Sequence, residues 1–177
     1  MISVGDHVVY RHHVCKVARF LENYYQDKDY YELHALFENS LKLFITVDDA
    51  VAPALRPVMT RQEALALIDS IDDADHTGAD ALKRVDGSTL MDRKVKDVYN
   101  KKLAEFSPDK LLLIMKYAHE RSRRRERKGR NATATDKRYY QIAENLLVDE
   151  LAVSLDMDRD EANDFLVERI EQASTRV

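Results

Sequence analysis

After residue 58 the chain repeats one local device four times: a side chain able to cap a helix, followed three residues later by a carboxylate. The pairs are Thr60–Glu63, Thr89–Asp92, Thr133–Asp136 and Asp158–Glu161. In such a box the first side chain accepts a hydrogen bond from the backbone N–H of the third helical residue, and the carboxylate reaches back to the first residue's N–H. Each pair precedes apolar residues spaced near 3.6, so each predicts a helix start. A fifth start uses other means. Ser107 stands as N-cap, Pro108 takes the first helical position and Asp109 meets the positive end of the helix dipole. This arrangement predicts an all-helical region from residue 58 to residue 177.

The helical faces follow from the spacing. Ala64, Leu65, Leu67, Ile68 and Ile71 make a short helix, and Asp72–Gly78 is a polar break and the expected hinge. Gly87–Ser88 is a second loop. Met91, Val95, Val98, Tyr99 and Leu103 form a stripe. Ser107–Arg130 reads as the central helix, with Leu111, Leu112, Ile114, Met115 and Ala118 inward and Gly129 as its stop. A helix from about Ala134 to Leu155 buries Tyr139, Ile142, Ala143, Leu146, Leu147 and Leu151. The last one presents Ala162, Phe165, Leu166 and Ile170, with Gln172–Val177 expected to fray.

The first 57 residues have a different period. His7–Tyr10, Val14–Leu21, Asp29–Phe37 and Leu41–Val47 are β-branched or aromatic and alternate, and a short extended piece lies around Leu55. Glu22–Lys28 reads as a polar loop. Short strands with no long helix predict a small open barrel or curled antiparallel sheet. The expected fold class is therefore α+β, with an antiparallel β domain at 1–57 followed by a helical domain at 58–177.

A formal net charge of −4 argues nothing for an anionic partner, but its distribution does. Residues 83–138 hold 18 lysines and arginines against 8 acids, whereas residues 139–177 hold 3 against 10. Arg121, Arg123, Arg124, Arg125, Arg127, Lys128 and Arg130 crowd the end of the central helix. Cations suit a helix C-terminus, and a solvated basic helix end accounts for some of them. Their number points further, to a nucleic acid or an acidic protein. Arg93, Lys94 and Lys96, with Lys83 and Arg84, extend the patch if the helices fold back on one another. A base-reading helix-turn-helix is not indicated, so the patch is expected to pair with phosphates.

Chemistry of other kinds finds little support. His7, His12, His13 and Cys15 lie close in sequence, but adjacent His12 and His13 point apart on an extended chain, and no C-x-x-C or H-E-x-x-H occurs. The aspartate clusters lack the pattern of a calcium loop. With 4 glycines there is no phosphate-cradling loop. No metal, no cofactor and no enzymatic activity are expected. Cys15 is the sole cysteine and MISVGDHVVY lacks the form of a secretory leader, so a cytoplasmic protein without a membrane role is expected.

The V-G-D-x-V-V-Y-x-x-H pattern (Val4, Gly5, Asp6, Val8, Val9, Tyr10, His13), the sheet region to Pro57 and a helical remainder reaching AENLLVDELA resemble the CarD/CdnL family of bacterial transcription regulators. The resemblance covers about residues 1–155. It implies a Tudor-like N-terminal domain, similar to the polymerase-interacting domain of the transcription-repair coupling factor, that docks a strand edge on the β subunit of RNA polymerase. The matching strand carries Leu41, Lys42, Leu43, Phe44, Ile45 and Thr46. Phe44 stands where the family pattern has an arginine. The resemblance also implies that the helical domain contacts promoter DNA near the melted region. There the family wedges a tryptophan into the minor groove; this chain has no tryptophan, and Met91, just before Arg93, Lys94 and Lys96, falls at the matching place.

The expectation is thus a monomeric regulator that binds the polymerase β subunit through its sheet. Its basic helices, through Met91, Arg93, Lys94, Lys96 and the arginine run, then touch the phosphates and minor groove of promoter DNA to modulate open-complex stability. The alternative is a protein–protein adaptor on polymerase without direct DNA contact. A single-stranded RNA binder is the weaker reading, because the sequence reveals no exposed aromatic platform.

Overall fold

A computed structural model describes residues 2–48, 55–71 and 89–175. The chain divides into two compact units, Met1–Thr60 and Arg61–Val177. The first is a five-stranded antiparallel sheet and the second is helical, an α+β chain with the sheet first.

The sheet comprises β1 (His7–Tyr10), β2 (His13–Tyr25), β3 (Lys28–Ala35), β4 (Lys42–Thr46) and β5 (Leu55–Pro57), in the spatial order β4-β3-β2-β1-β5. Register assigns the two faces. Val8 lies opposite Cys15 and Val17 opposite Leu33, and these with Ile45 and Leu55 form the buried core, against which Ala35, opposite Cys15, packs. The opposite face carries Lys16, His34 and Lys42 in one row.

A bulge interrupts β2. Val17 opposes Leu33, yet Arg19 opposes the very next residue, Glu32. One extra residue, Ala18, therefore flips the side-chain alternation as far as Leu21, and a second register shift follows between Leu21 and Tyr25. Without that flip Arg19 would follow Cys15 and Val17 into the apolar core.

Residues 22–28 are not the loop expected from their polarity. β2 runs on to Tyr25 and turns through Gln26 and Asp27, with φ of 51° and 54°, into β3 at Lys28. Two consecutive left-handed residues match the right-handed twist of the flanking strands. The extension is stabilised across strands: Tyr24 packs edge-on to Tyr30, with centroids 5.7 Å apart.

The helical unit comprises α1 (Arg61–Asp69), α2 (Thr89–Leu103), α3 (Pro108–Glu126), α4 (Ala134–Leu155) and α5 (Arg159–Thr175). The bundle centres on α4, not on the basic α3: α4 packs against each of the other four. Its Ala143, Leu147, Val148, Leu151, Ala152 and Leu155 are all buried. Arg61 Nη1 donates to the Leu155 carbonyl at 2.7 Å, closing the end of α4 with a side chain from α1. The expected hinge at Asp72–Gly78 and the loop at Gly87–Ser88 lie outside the described residues. Among the described residues no helix is long and apolar enough to cross a membrane.

Candidate functional site

The end of α3 follows from its sequence. Gly129 adopts φ of 69°, where an L side chain would be strained. Arg130 N–H then donates to Arg125 O and Gly129 N–H to Glu126 O, both at 2.9 Å. This six-to-one and five-to-two pair is a Schellman stop. Six residues after Arg127, Thr133 caps α4: its Oγ1 accepts from Asp136 N–H at 3.0 Å. The basic run therefore sits on a tight turn between two antiparallel helices. Ser107 behaves differently from expectation. It has the extended geometry of an N-cap, but its hydroxyl donates to the Asp109 carboxylate and makes no cap bond to the backbone.

The arginines do not form one class. Arg121 turns inward, with 12% of its side chain accessible, and its Nε lies 3.1 Å from Asp136 Oδ1. Asp136 is wholly buried and also receives Tyr99 Oη at 2.9 Å and Thr133 Oγ1 at 2.8 Å. A capping box on α4 is thereby joined to α2 and α3. Arg121 is spent on the fold, where a phosphate cannot reach it without breaking a buried pair. Arg125 Nε donates to the Asn131 carbonyl at 2.8 Å and stiffens the turn. Arg123 and Arg124 are half-buried, while Arg127, Lys128 and Arg130 are exposed.

Two basic residues missing from the expected site belong beside these. Lys137 and Arg138 are exposed in the first turns of α4. The Arg121–Asp136 and Arg125–Asn131 contacts bring that end of α4 against the end of α3. The signal was available, since both residues directly follow the Asp136 of the capping box.

Among the described residues of α2, Val95 and Tyr99, one turn apart, are buried. Arg93, Lys94 and Lys96 are exposed. Arg93 is six residues before Tyr99, roughly 9 Å along the axis at 1.5 Å per residue. Met91 falls within α2, but its side chain lies outside the described residues.

Among the described residues β4 is an edge strand of the sheet unit, hydrogen-bonded to β3. Ala35 N–H donates to Leu41 O at 3.1 Å and Val47 N–H to Asp29 O at 3.0 Å. Antiparallel bonds alternate, so Leu41, Leu43, Ile45 and Val47 direct their main-chain groups to β3. Lys42 and Phe44 direct theirs outward.

Beside this edge lies a charge cluster that the sequence does not announce. Glu32 is 1% exposed, an unusual burial for a carboxylate. His34 Nε2 approaches one oxygen at 2.6 Å and Arg19 Nε the other at 2.7 Å, with Lys42 Nζ at 3.7 Å. The hydrogen bond from His34 and the pairing with Arg19 hold Glu32 below the usual carboxylate range, against the opposing effect of burial. Phe44 lies across from Glu32 and stacks on Tyr24, with rings 5.6 Å apart and 8° from parallel.

Cys15 is fully buried, and burial first, then Glu38, pushes its thiol up to about 11, which leaves it un-ionised. His13 Nδ1 pairs with Glu38 at 2.5 Å. Among the described residues no group of three or more His, Cys, Asp or Glu is placed to hold a metal ion. No protein-family model matches the chain, and no curated protein matches it.

Proposed function

We propose that the chain is a transcription regulator of the CarD/CdnL type. Its sheet unit is a Tudor-like module that adds β4 to a strand of the RNA polymerase β subunit. Its helical unit then lays a basic surface on promoter DNA beside the melted region and alters the lifetime of the open complex. The observation that carries this reading is the terminal place of β4, with the main-chain groups of Lys42 and Phe44 directed outward. Such an edge can extend a partner's sheet by main-chain hydrogen bonds.

The DNA surface in this reading comprises Arg124, Arg127, Lys128, Arg130, Lys137 and Arg138, with Arg93, Lys94 and Lys96 on α2. Arg121 is left out because it holds Asp136. These cations contact phosphates and leave bases unread, so affinity falls steeply with salt and free-chain binding is weak. Tethering to polymerase raises the local concentration of the basic surface and makes weak contacts sufficient.

One observation favours a second reading, an adaptor on polymerase that does not touch DNA. Arg121 and Arg125 already serve internal contacts, which reduces the cations available to phosphate. Capture of polymerase by the full chain, followed by open-complex lifetimes at two salt concentrations, separates the readings. Charge reversal at Arg127 and Arg130 shortens or lengthens the open complex if DNA is touched. It weakens capture itself for the adaptor, whose arginines meet an acidic protein surface. Failure to capture polymerase at all removes both.

A further inference from the structure

Tertiary structure creates a feature that is scattered in the sequence: an aromatic platform on the outer face of β2, β3 and β4. Tyr24 comes from the far end of β2, Tyr30 from β3 and Phe44 from β4, and the three rings are in mutual edge-on and parallel contact through Tyr24. Tyr24 is 55% and Phe44 44% exposed, so the rings are not packed away beneath other residues. The hairpin extension, together with a second register shift of β2 between Leu21 and Tyr25 where Asn23 has φ of 47°, is what carries Tyr24 there. On the same face the register sets Lys16 beside His34 and Lys42, and the Ala18 bulge brings Arg19 alongside. The acid among them, Glu32, is buried and already holds Arg19, His34 and Lys42. Arg19 and Lys42 nonetheless keep 65% and 54% of their side chains accessible.

We propose that this face binds single-stranded nucleic acid, with a base stacked on the exposed Tyr24–Phe44 pair and the flanking phosphates on Lys16, Arg19 and Lys42. Exposed rings take any base on its π-face, and neighbouring cations follow the backbone, which is the combination that single-strand binders use without reading sequence. A partner protein strand needs only the β4 main chain; it does not explain why three rings gather on the flat of the sheet among exposed cations. The inference goes beyond the polymerase reading and does not depend on it.

The test uses the free full-length chain with fluorescein-labelled twelve-residue oligo-dT and oligo-U, read by anisotropy, with a duplex of equal length as comparison. Binding of both single strands is expected, and their ratio states whether DNA or RNA is preferred. Tyr24→Ala and Phe44→Ala are each expected to weaken single-strand binding by roughly tenfold, the size of one lost base stack. Tyr24→Phe and Phe44→Tyr keep the ring and are expected to bind as the parent does. Duplex binding is expected to be unchanged in all four variants, whereas Arg127→Glu weakens it. An oligonucleotide carrying 5-iodouracil is expected to cross-link at Tyr24 or Phe44. Cross-links confined to residues 93–138, or alanine variants that bind single strands like the parent, overturn the proposal. So does an acidic peptide that binds the platform more tightly than either oligonucleotide, which reassigns the face to a protein partner. Failure to capture polymerase leaves each of these results unaffected.

Discussion

Arg121 of α3 donates its Nε to the carboxylate of Asp136 in the first turn of α4, 3.1 Å from one oxygen and 3.3 Å from the other. The pair sets Arg121, held inward, apart from the exposed Arg127, Lys128 and Arg130 of the same run of cations. Because Asp136 is wholly buried, truncating Arg121 leaves a carboxylate stranded in a low-dielectric site. Loss of one partner of such a pair costs about 3–5 kcal/mol. Arg121→Ala is therefore expected to lower the urea midpoint of the helical unit substantially. Arg127→Ala, at an exposed position, is expected to leave it within about 0.5 kcal/mol. Duplex DNA binding is expected to respond in the opposite order, with Arg127→Ala reducing the salt slope by about one.

Two hydroxyls at helix starts give a second contrast. Thr133 Oγ1 accepts from Asp136 N–H and donates to the Asp136 carboxylate. Thr133→Ala is expected to cost at least the ~1 kcal/mol of a lost N-cap, and more because the buried carboxylate loses a donor. Ser107 makes no cap bond, so Ser107→Ala is expected to cost less. Chemical denaturation of both variants against the parent decides the order.

The open edge of β4 permits a substitution that acts on partners and spares the fold. Phe44 N–H faces away from β3, so proline there removes no bond of the ladder, and edge strands tolerate proline at such positions. Phe44→Pro is expected to keep the folded far-ultraviolet spectrum yet lose polymerase capture. Phe44→Ala, which keeps the N–H, is expected to retain most of it. Equal capture by the two variants is incompatible with docking through this edge.

His119 makes stability depend on pH. Burial first, and the nearby Arg123 charge second, lower its pKa from the ordinary value, while Glu171, Glu120 and Glu126 act the other way. Its buried Nε2 has no hydrogen-bond partner among the described residues. A histidine whose pKa is lower when folded is protonated more readily in the unfolded chain. Its contribution is therefore intact above the unfolded value of about 6.5 and is lost as pH falls below it toward the folded value. The helical unit is expected to lose stability as pH falls below about 6.5, and His119→Leu is expected to flatten that dependence. Denaturation followed by circular dichroism at several pH values measures both slopes.

What could be read without the structure is local. The Asp158–Glu161 box forms as written, with Asp158 N–H on Glu161 and Glu161 N–H on Asp158 at 3.2 and 2.8 Å. Thr133 caps α4 and Gly129 ends α3, because caps and stops involve residues within about six positions of one another and need no tertiary partner. The change of hydrophobic period near residue 58 likewise separates sheet from helices, because it reflects which side chains each element must bury. The remainder is nonlocal. That α4 holds the centre, that Arg121 turns inward, and that β4 ends the sheet depend on which elements become neighbours, a matter of shape and packing among residues far apart in the chain. Two irregularities of β2 are decisive for the surface: the extra residue Ala18 turns Arg19 onto Glu32, and the register shift between Leu21 and Tyr25 lets the long hairpin bring Tyr24 to Phe44. Side-chain alternation has a period of two, so a single unpaired residue reverses every face beyond it, and only the partner strand specifies where that residue falls.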